Sequence, residues 1–133
     1  MALQTYIDHM SELLLEKNLR TSKEDDEVKN IATARTLTVL PNLDHQRKRS
    51  VINFLHDTGL IKVNEAVINL MEADLSEAHM FKANLKGANL SLTKMNGVDL
   101  GEADLSGAIV TKEQLETVKS LKGATLSDGS IHP

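Results

Sequence analysis

The sequence predicts a mainly β fold with α-helical caps: a square coil of about two turns between a helical N-terminal region and a short C-terminal capping helix. Two observations carry this expectation. First, a large apolar residue recurs at every fifth position: Leu70, Leu75, Met80, Leu85, Leu90, Met95, Leu100 and Leu105. Second, a mostly small residue stands two positions before each, at Ala73, Ala78, Ala83, Ala88, Ala103 and Ala108, with Ile68, Thr93 and Val98 as larger exceptions. On a helix a five-residue step drifts around the cylinder, and on a flat strand it alternates faces. The marks stay inward only if the chain turns a corner at each step, so that four steps close one turn of about twenty residues with neighbouring turns about 4.8 Å apart.

The elements around the coil follow in order. Leu3, Tyr6, Ile7, Met10, Leu13 and Leu14 follow the i, i+3, i+4 pattern of an amphipathic helix over about Leu3 to Leu19. Ser22 is placed to cap a second helix, with Glu24, Asp25, Asp26 and Glu27 in its first turn, where the dipole favours acids. That helix runs to about Leu40, before Pro41. Asp44 is placed to cap a third helix through Val51, Ile52, Phe54 and Leu55, and Gly59 suits its left-handed C-terminal position. Leu60 to Val63 lead extended into the coil. Beyond it, Thr111 and Gln114 make a capping box for a helix reaching about Ser120. Gly123, Ala124 and Leu126 repeat the inward offset once more, and the tail after Asp128-Gly129 is expected to fray. The chain thus divides into a three-helix region 1–62, a coil 63–110, and a helical cap with tail 111–133. Stacked units of this kind need about three repeats to stand alone, so the helices are expected to close the open ends of the coil.

Residues 73–107 read Ala-Asp-Leu-Ser-Glu, Ala-His-Met-Phe-Lys, Ala-Asn-Leu-Lys-Gly, Ala-Asn-Leu-Ser-Leu and onward without a slip. This resembles the pentapeptide-repeat family, whose unit is Ala, Asp or Asn, Leu and two variable residues. The resemblance implies a right-handed quadrilateral β-helix with Leu and Ala inside. The stretch Arg35 to Leu40, with Phe54-Leu55 and Gly59-Leu60-Ile61, is similar to the helical region that precedes such repeats in cyanobacterial members. Family membership carries no single activity, so the fold alone does not give the function.

Composition narrows the function classes. The 133 residues contain no cysteine, which excludes disulfides and thiolate chemistry. The net charge is −4, and its imbalance lies in the repeats; mild acidity without a basic stripe speaks against nucleic-acid binding. No apolar run reaches the roughly 20 residues of a membrane helix, and a cytoplasmic location is expected. The five histidines, His9, His45, His56, His79 and His132, are scattered without ligand spacing. Asp57-Thr58-Gly59 spells an aspartic-protease triplet, but an amphipathic helix precedes it. No catalytic, metal or cofactor site is therefore expected.

The leading expectation is a non-catalytic structural or protein-interaction module. Most outward repeat positions are polar, but Met71, Phe81 and Leu92 are apolar, with Met71 and Leu92 on one side of the coil and Phe81 opposite. These three are the candidate contacts for a protein partner or a second copy, unless the N-terminal helices fold over Met71 and Leu92. Arg47, Lys48 and Arg49 form the one basic cluster and are the candidate contacts for an acidic partner or lipid headgroups, the basis of a peripheral-membrane alternative. A second alternative comes from the resemblance: some pentapeptide-repeat proteins mimic DNA and bind a topoisomerase such as gyrase. Here the acids spread over all four sides, and two turns span only about 10 Å.

Overall fold

A computed structural model describes residues 2–21, 27–63 and 66–133. Helix α1 spans Ala2–Glu16, α2 spans Glu27–Val39, and α3 spans His45–Asp57. Short 3-10 turns occupy Leu19–Thr21 and Leu40–Asn42, the latter turning at Pro41. The capping role expected of Ser22, and the acids up to Asp26, lie outside the described residues. Asp44 caps α3 as expected, its carboxylate accepting from the Arg47 backbone N–H at 2.9 Å. Gly59 takes the left-handed conformation (φ 76°) just past the helix end. Tyr6 of α1 meets Phe54 of α3 edge-on, with ring centroids 6.4 Å apart.

From Ile68 onward the chain turns a corner every five residues. Each corner is closed by a bond from the N–H of the small residue to the carbonyl three back: Ala73 to Leu70, Ala78 to Leu75, Ala83 to Met80, and on through Ala108 to Leu105. The second central residue has positive φ, from Glu72 (65°) to Gly107 (71°), the arrangement of a type II turn. The position before each large apolar residue explains itself here. The side chains of Asn69, Asp74, Asn84, Asn89, Asp99 and Asp104 each accept from the backbone N–H two residues on, fixing the chain as it enters the turn.

Successive coils pair in parallel at a spacing of twenty residues: Asp74 with Lys94, His79 with Asp99, Asn84 with Asp104, and Asn89 with Ile109. These are isolated bridges, and no continuous strand forms among the described residues, because a five-residue side is nearly used up by its corners. The mainly β expectation is corrected to that extent: the helices are the longest regular elements, and the β character lies in the stacking. All eight large ladder residues are at most 4% exposed, and Ala73, Ala78, Ala83, Ala88 and Ala103 at most 2%. They form one core with Met10, Leu40, Ile52 and Leu55 of the helical region.

The far end differs from the expected boundary at residue 110. Helix α4 is short, Lys112–Glu116, with the Thr111–Gln114 capping box in place. Gln114 also fastens α4 to the coil, donating to the carbonyls of Leu90 (2.8 Å) and Thr93 (3.0 Å). The chain then re-enters the stack for part of a third coil, where Asp99 pairs with Ser120 and Asp104 with Thr125. The spacing there is twenty-one, so the α4 excursion absorbs one extra residue. The tail, expected to fray, instead returns antiparallel. Ile131 bridges Thr125, and the backbones of His132, Gly123 and Ala124 exchange bonds of 2.8 and 2.9 Å, which covers the last edge.

The inward ladder predicts the cost of a core truncation. Leu85→Ala and Leu90→Ala each remove a side chain at most 2% exposed and should lower unfolding stability by about 2–5 kcal/mol in urea titrations. A loss below about 1 kcal/mol would contradict the packing described.

Candidate interaction surface

The outside of this molecule divides into groups consumed by its own fold and groups left over. Lys48 and Arg49 of the basic cluster belong to the first kind. Helix α3 lies along the open edge of the first coil and places donors on its carbonyls. Lys48 Nζ reaches Ser76 O (3.0 Å) and Asp74 Oδ1 (3.4 Å). Arg49 Nη1 reaches Phe81 O (2.6 Å) and His79 O (3.2 Å), while Arg47 turns back to Asp44 at 2.5 Å. Lys48 is only 5% exposed. The Arg47, Lys48 and Arg49 cations are thus engaged within the chain, and the buried Lys48 is not placed to meet a headgroup. Further along, the His56 ring lies 3.0 Å from Lys86 O. Lys62 bridges Ala88 antiparallel, covering another part of the same edge.

The aspartates of the repeats are also committed locally. Hydrogen bonds from Ser76, through both its hydroxyl and its backbone N–H, hold the Asp74 carboxyl below the usual carboxylate range, with Lys48 adding to the effect. Ser106 lowers Asp104 in the same way. These carboxylates serve turns, and they do not assemble a single acidic face.

The apolar outward residues behave differently. Met71 is 47% and Leu92 55% exposed, so the helices do not fold over them, contrary to one expectation above. They share one corner in successive coils, tied by the bond from Glu72 N–H to Leu92 O. Ile109, 41% exposed, lies one coil on, on the side leading into that corner. Leu92 shares the left-handed backbone of its turn position (φ 60°) with Glu72, Glu77, Lys82 and Glu102, and is the one apolar side chain among them. Phe81, on the opposite side, is partly used by the coil itself. Its ring lies over Gly101, where a Cβ would come within 2.9 Å of Phe81 Cδ1.

Two features escaped the sequence reading. An open groove of about 420 Å³ runs between α1 and α2, with buried Tyr6 among its lining residues and the Arg35–His9 contact (2.5 Å) along it. Burial pushes the Tyr6 hydroxyl up to about 12, and it is bonded to Thr36 at 2.7 Å. The second is a histidine pair across the α3–coil junction, His45 Nδ1 to His79 Nε2 at 3.2 Å. Among the described residues no group of three or more His, Cys, Asp and Glu side chains is placed to hold a metal ion, and no helix is long and apolar enough to cross a membrane.

The burial of Lys48 beside Asp74 generates a pH prediction. Asp74→Asn keeps an acceptor for the turn but leaves the Lys48 charge uncompensated, and should cost about 2 kcal/mol at pH 7. The folded carboxyl titrates below its unfolded value of about 3.9. Its contribution is therefore present above that value and disappears as pH falls through the folded one. In urea titrations the gap between wild type and variant should close below about pH 4; a constant gap from pH 7 to pH 3 would refute the assignment.

Comparison with known proteins places these features in a family. No curated protein matches the chain. Among solved structures, the chain is similar to HetL, a pentapeptide repeat protein involved in heterocyst differentiation regulation from the cyanobacterium Nostoc sp. strain PCC 7120. That match has 30% identity, covers 50% of this chain and 37% of HetL, and gives a TM-score of 0.18. The chain thus spans well under two thirds of that protein. Residues 68–111 match the family described as "Pentapeptide repeats" in eight copies, about a third of the chain, and this implies a right-handed β-helix. The corner bonds, the Asn and Asp turn acceptors and the twenty-residue stacking are how that repeat builds itself here, and residues 68–111 are the part of the chain that matches pentapeptide repeats.

Proposed function

We propose that the protein is a non-catalytic interaction module, and that it binds a protein partner through the corner carrying Met71 and Leu92. The observation that carries this reading is Leu92. A leucine there is unfavourable twice over: it exposes apolar surface to water, and it occupies a left-handed backbone position that glycine takes without steric cost. Gly87, Gly97 and Gly107 fill the equivalent place at three other corners, and Glu72, Glu77, Lys82 and Glu102 at four more. What sets Leu92 apart from Glu72, Glu77, Lys82 and Glu102 at the same turn position is an apolar side chain that is more than half exposed, and an apolar contact is what it offers a partner. Met71 on the same corner extends the patch, and Ile109 continues it into the next coil. Phe81, half covered over Gly101, contributes less.

The test separates stability from binding. Leu92→Gly should raise unfolding stability by about 0.5–1 kcal/mol, because it relieves the left-handed position. The double variant Met71→Ser/Leu92→Gly should remain folded and lose a partner that the wild-type protein retains in affinity capture from its source cell. Equal recovery of every retained protein by wild type and variant would overturn the assignment to this corner. Turnover of a substrate by the purified chain would overturn the non-catalytic reading itself.

A further inference from the structure

We propose that His45 and His79 form a two-histidine site for a divalent transition metal such as zinc, clamping helix α3 to the first coil. The rings face each other across the junction with centroids 4.9 Å apart and planes tilted by 58°. The facing nitrogens, His45 Nδ1 and His79 Nε2, are 3.2 Å apart. Two nitrogens each about 2.0–2.1 Å from one tetrahedral zinc ion lie about 3.3 Å from one another, so the pair already stands at the spacing shared ligation requires.

The second observation is what holds the other nitrogen of each ring. Ligating histidines commonly give their second N–H to an outer partner, which fixes the tautomer and turns the free lone pair toward the metal. His45 Nε2 has the Glu77 carboxylate at 3.8 Å, and His79 Nδ1 has the Gln46 side-chain amide at 3.3 Å. Without metal Gln46 donates to His79 and His79 to His45, while the Glu77 carboxylate lies beside His45 Nε2 at 3.8 Å, beyond hydrogen-bond reach. Turning the Gln46 amide over lets it accept instead, and moves the His79 proton to Nδ1. His45 Nδ1 and His79 Nε2 then present two lone pairs to one point, with no net change in protons. A bond of 3.2 Å from the His79 N–H to the His45 carbonyl holds the two backbones in register.

The surrounding charge is mixed. Glu77 offsets an added cation, and the Arg49 guanidinium on His79 O opposes it. No third His, Cys, Asp or Glu among the described residues closes the coordination shell, so water would take the remaining positions. His79 also interrupts the repeat, standing where Asp74, Asn84 and Asp99 serve their turns.

That interruption supplies a variant that keeps the fold. His79→Asn restores the residue type the repeat uses, and His45→Gln leaves α3 capped by Asp44. In titrations of the tag-free full chain with zinc chloride, followed by calorimetry and by thermal unfolding, wild type should bind one zinc ion and unfold at a higher temperature. His79→Asn and His45→Gln each remove a ligand, so each should bind at least about 10-fold more weakly, the lower end of what losing an outer partner costs, and lose that shift. In NMR spectra zinc should perturb the ring signals of His45 and His79 and leave those of His9 and His132 in place. Absence of zinc binding by wild type would overturn the proposal. So would unchanged affinity in either variant, or perturbation centred on other histidines.

Discussion

A stacked coil leaves a row of unpaired N–H and C=O groups at each end, and in a coil this short those edges are a large part of the whole. Closing them is the constraint on which the rest of the molecule depends. The N-terminal edge is met by α3, through Lys48, Arg49 and His56, and by the antiparallel pairing of Lys62 with Ala88. The C-terminal edge is met by Ile131 and His132. Helices and tail are therefore parts of the β structure in energetic terms, and they share one core with it.

The same constraint decides which surface groups remain available. A basic triplet is the obvious candidate for an outside partner, yet carbonyls at a coil edge call for cationic donors, and α3 supplies two of them, the buried Lys48 and the partly exposed Arg49. Charge-assisted bonds to such groups are stronger than neutral ones, which makes the use of Lys and Arg there intelligible. Among the groups left over is an apolar corner whose Met71 and Leu92 side chains are about half exposed.

The repeat was readable from the sequence because its physical rule is local. Five residues contain one corner, one inward pair and one side-chain acceptor, and each is visible in the residue types at Ala73, Asp74 and Leu75. The caps of α3 and α4 were readable for the same reason, with Asp44 and Thr111 within three residues of the groups they satisfy. Contacts that depend on how helices lie against the coil were not. His45 and His79 are 34 residues apart, and nothing in either local sequence points to the other. The exposure of Met71 and Leu92 depended likewise on which edge α3 chose. The last inward pair at Ala124 and Leu126 was legible by its offset, but the extra residue of the α4 excursion concealed that Ser120 and Thr125 pair with the coil before them.

The position of α3 ahead of the coil it covers has a consequence for synthesis. Chains emerge from the N-terminus, and local units form as they appear. The donors on Lys48, Arg49 and His56 are made before the carbonyls they meet, so each side of the first coil arrives at a template already waiting. Growth then proceeds one side at a time, each new side laid against residues made about twenty positions earlier. Only the advancing edge stays open, and it is shut when Ile131 and His132 turn back. A nascent chain of this design carries one sticky edge instead of two, for as long as its synthesis takes.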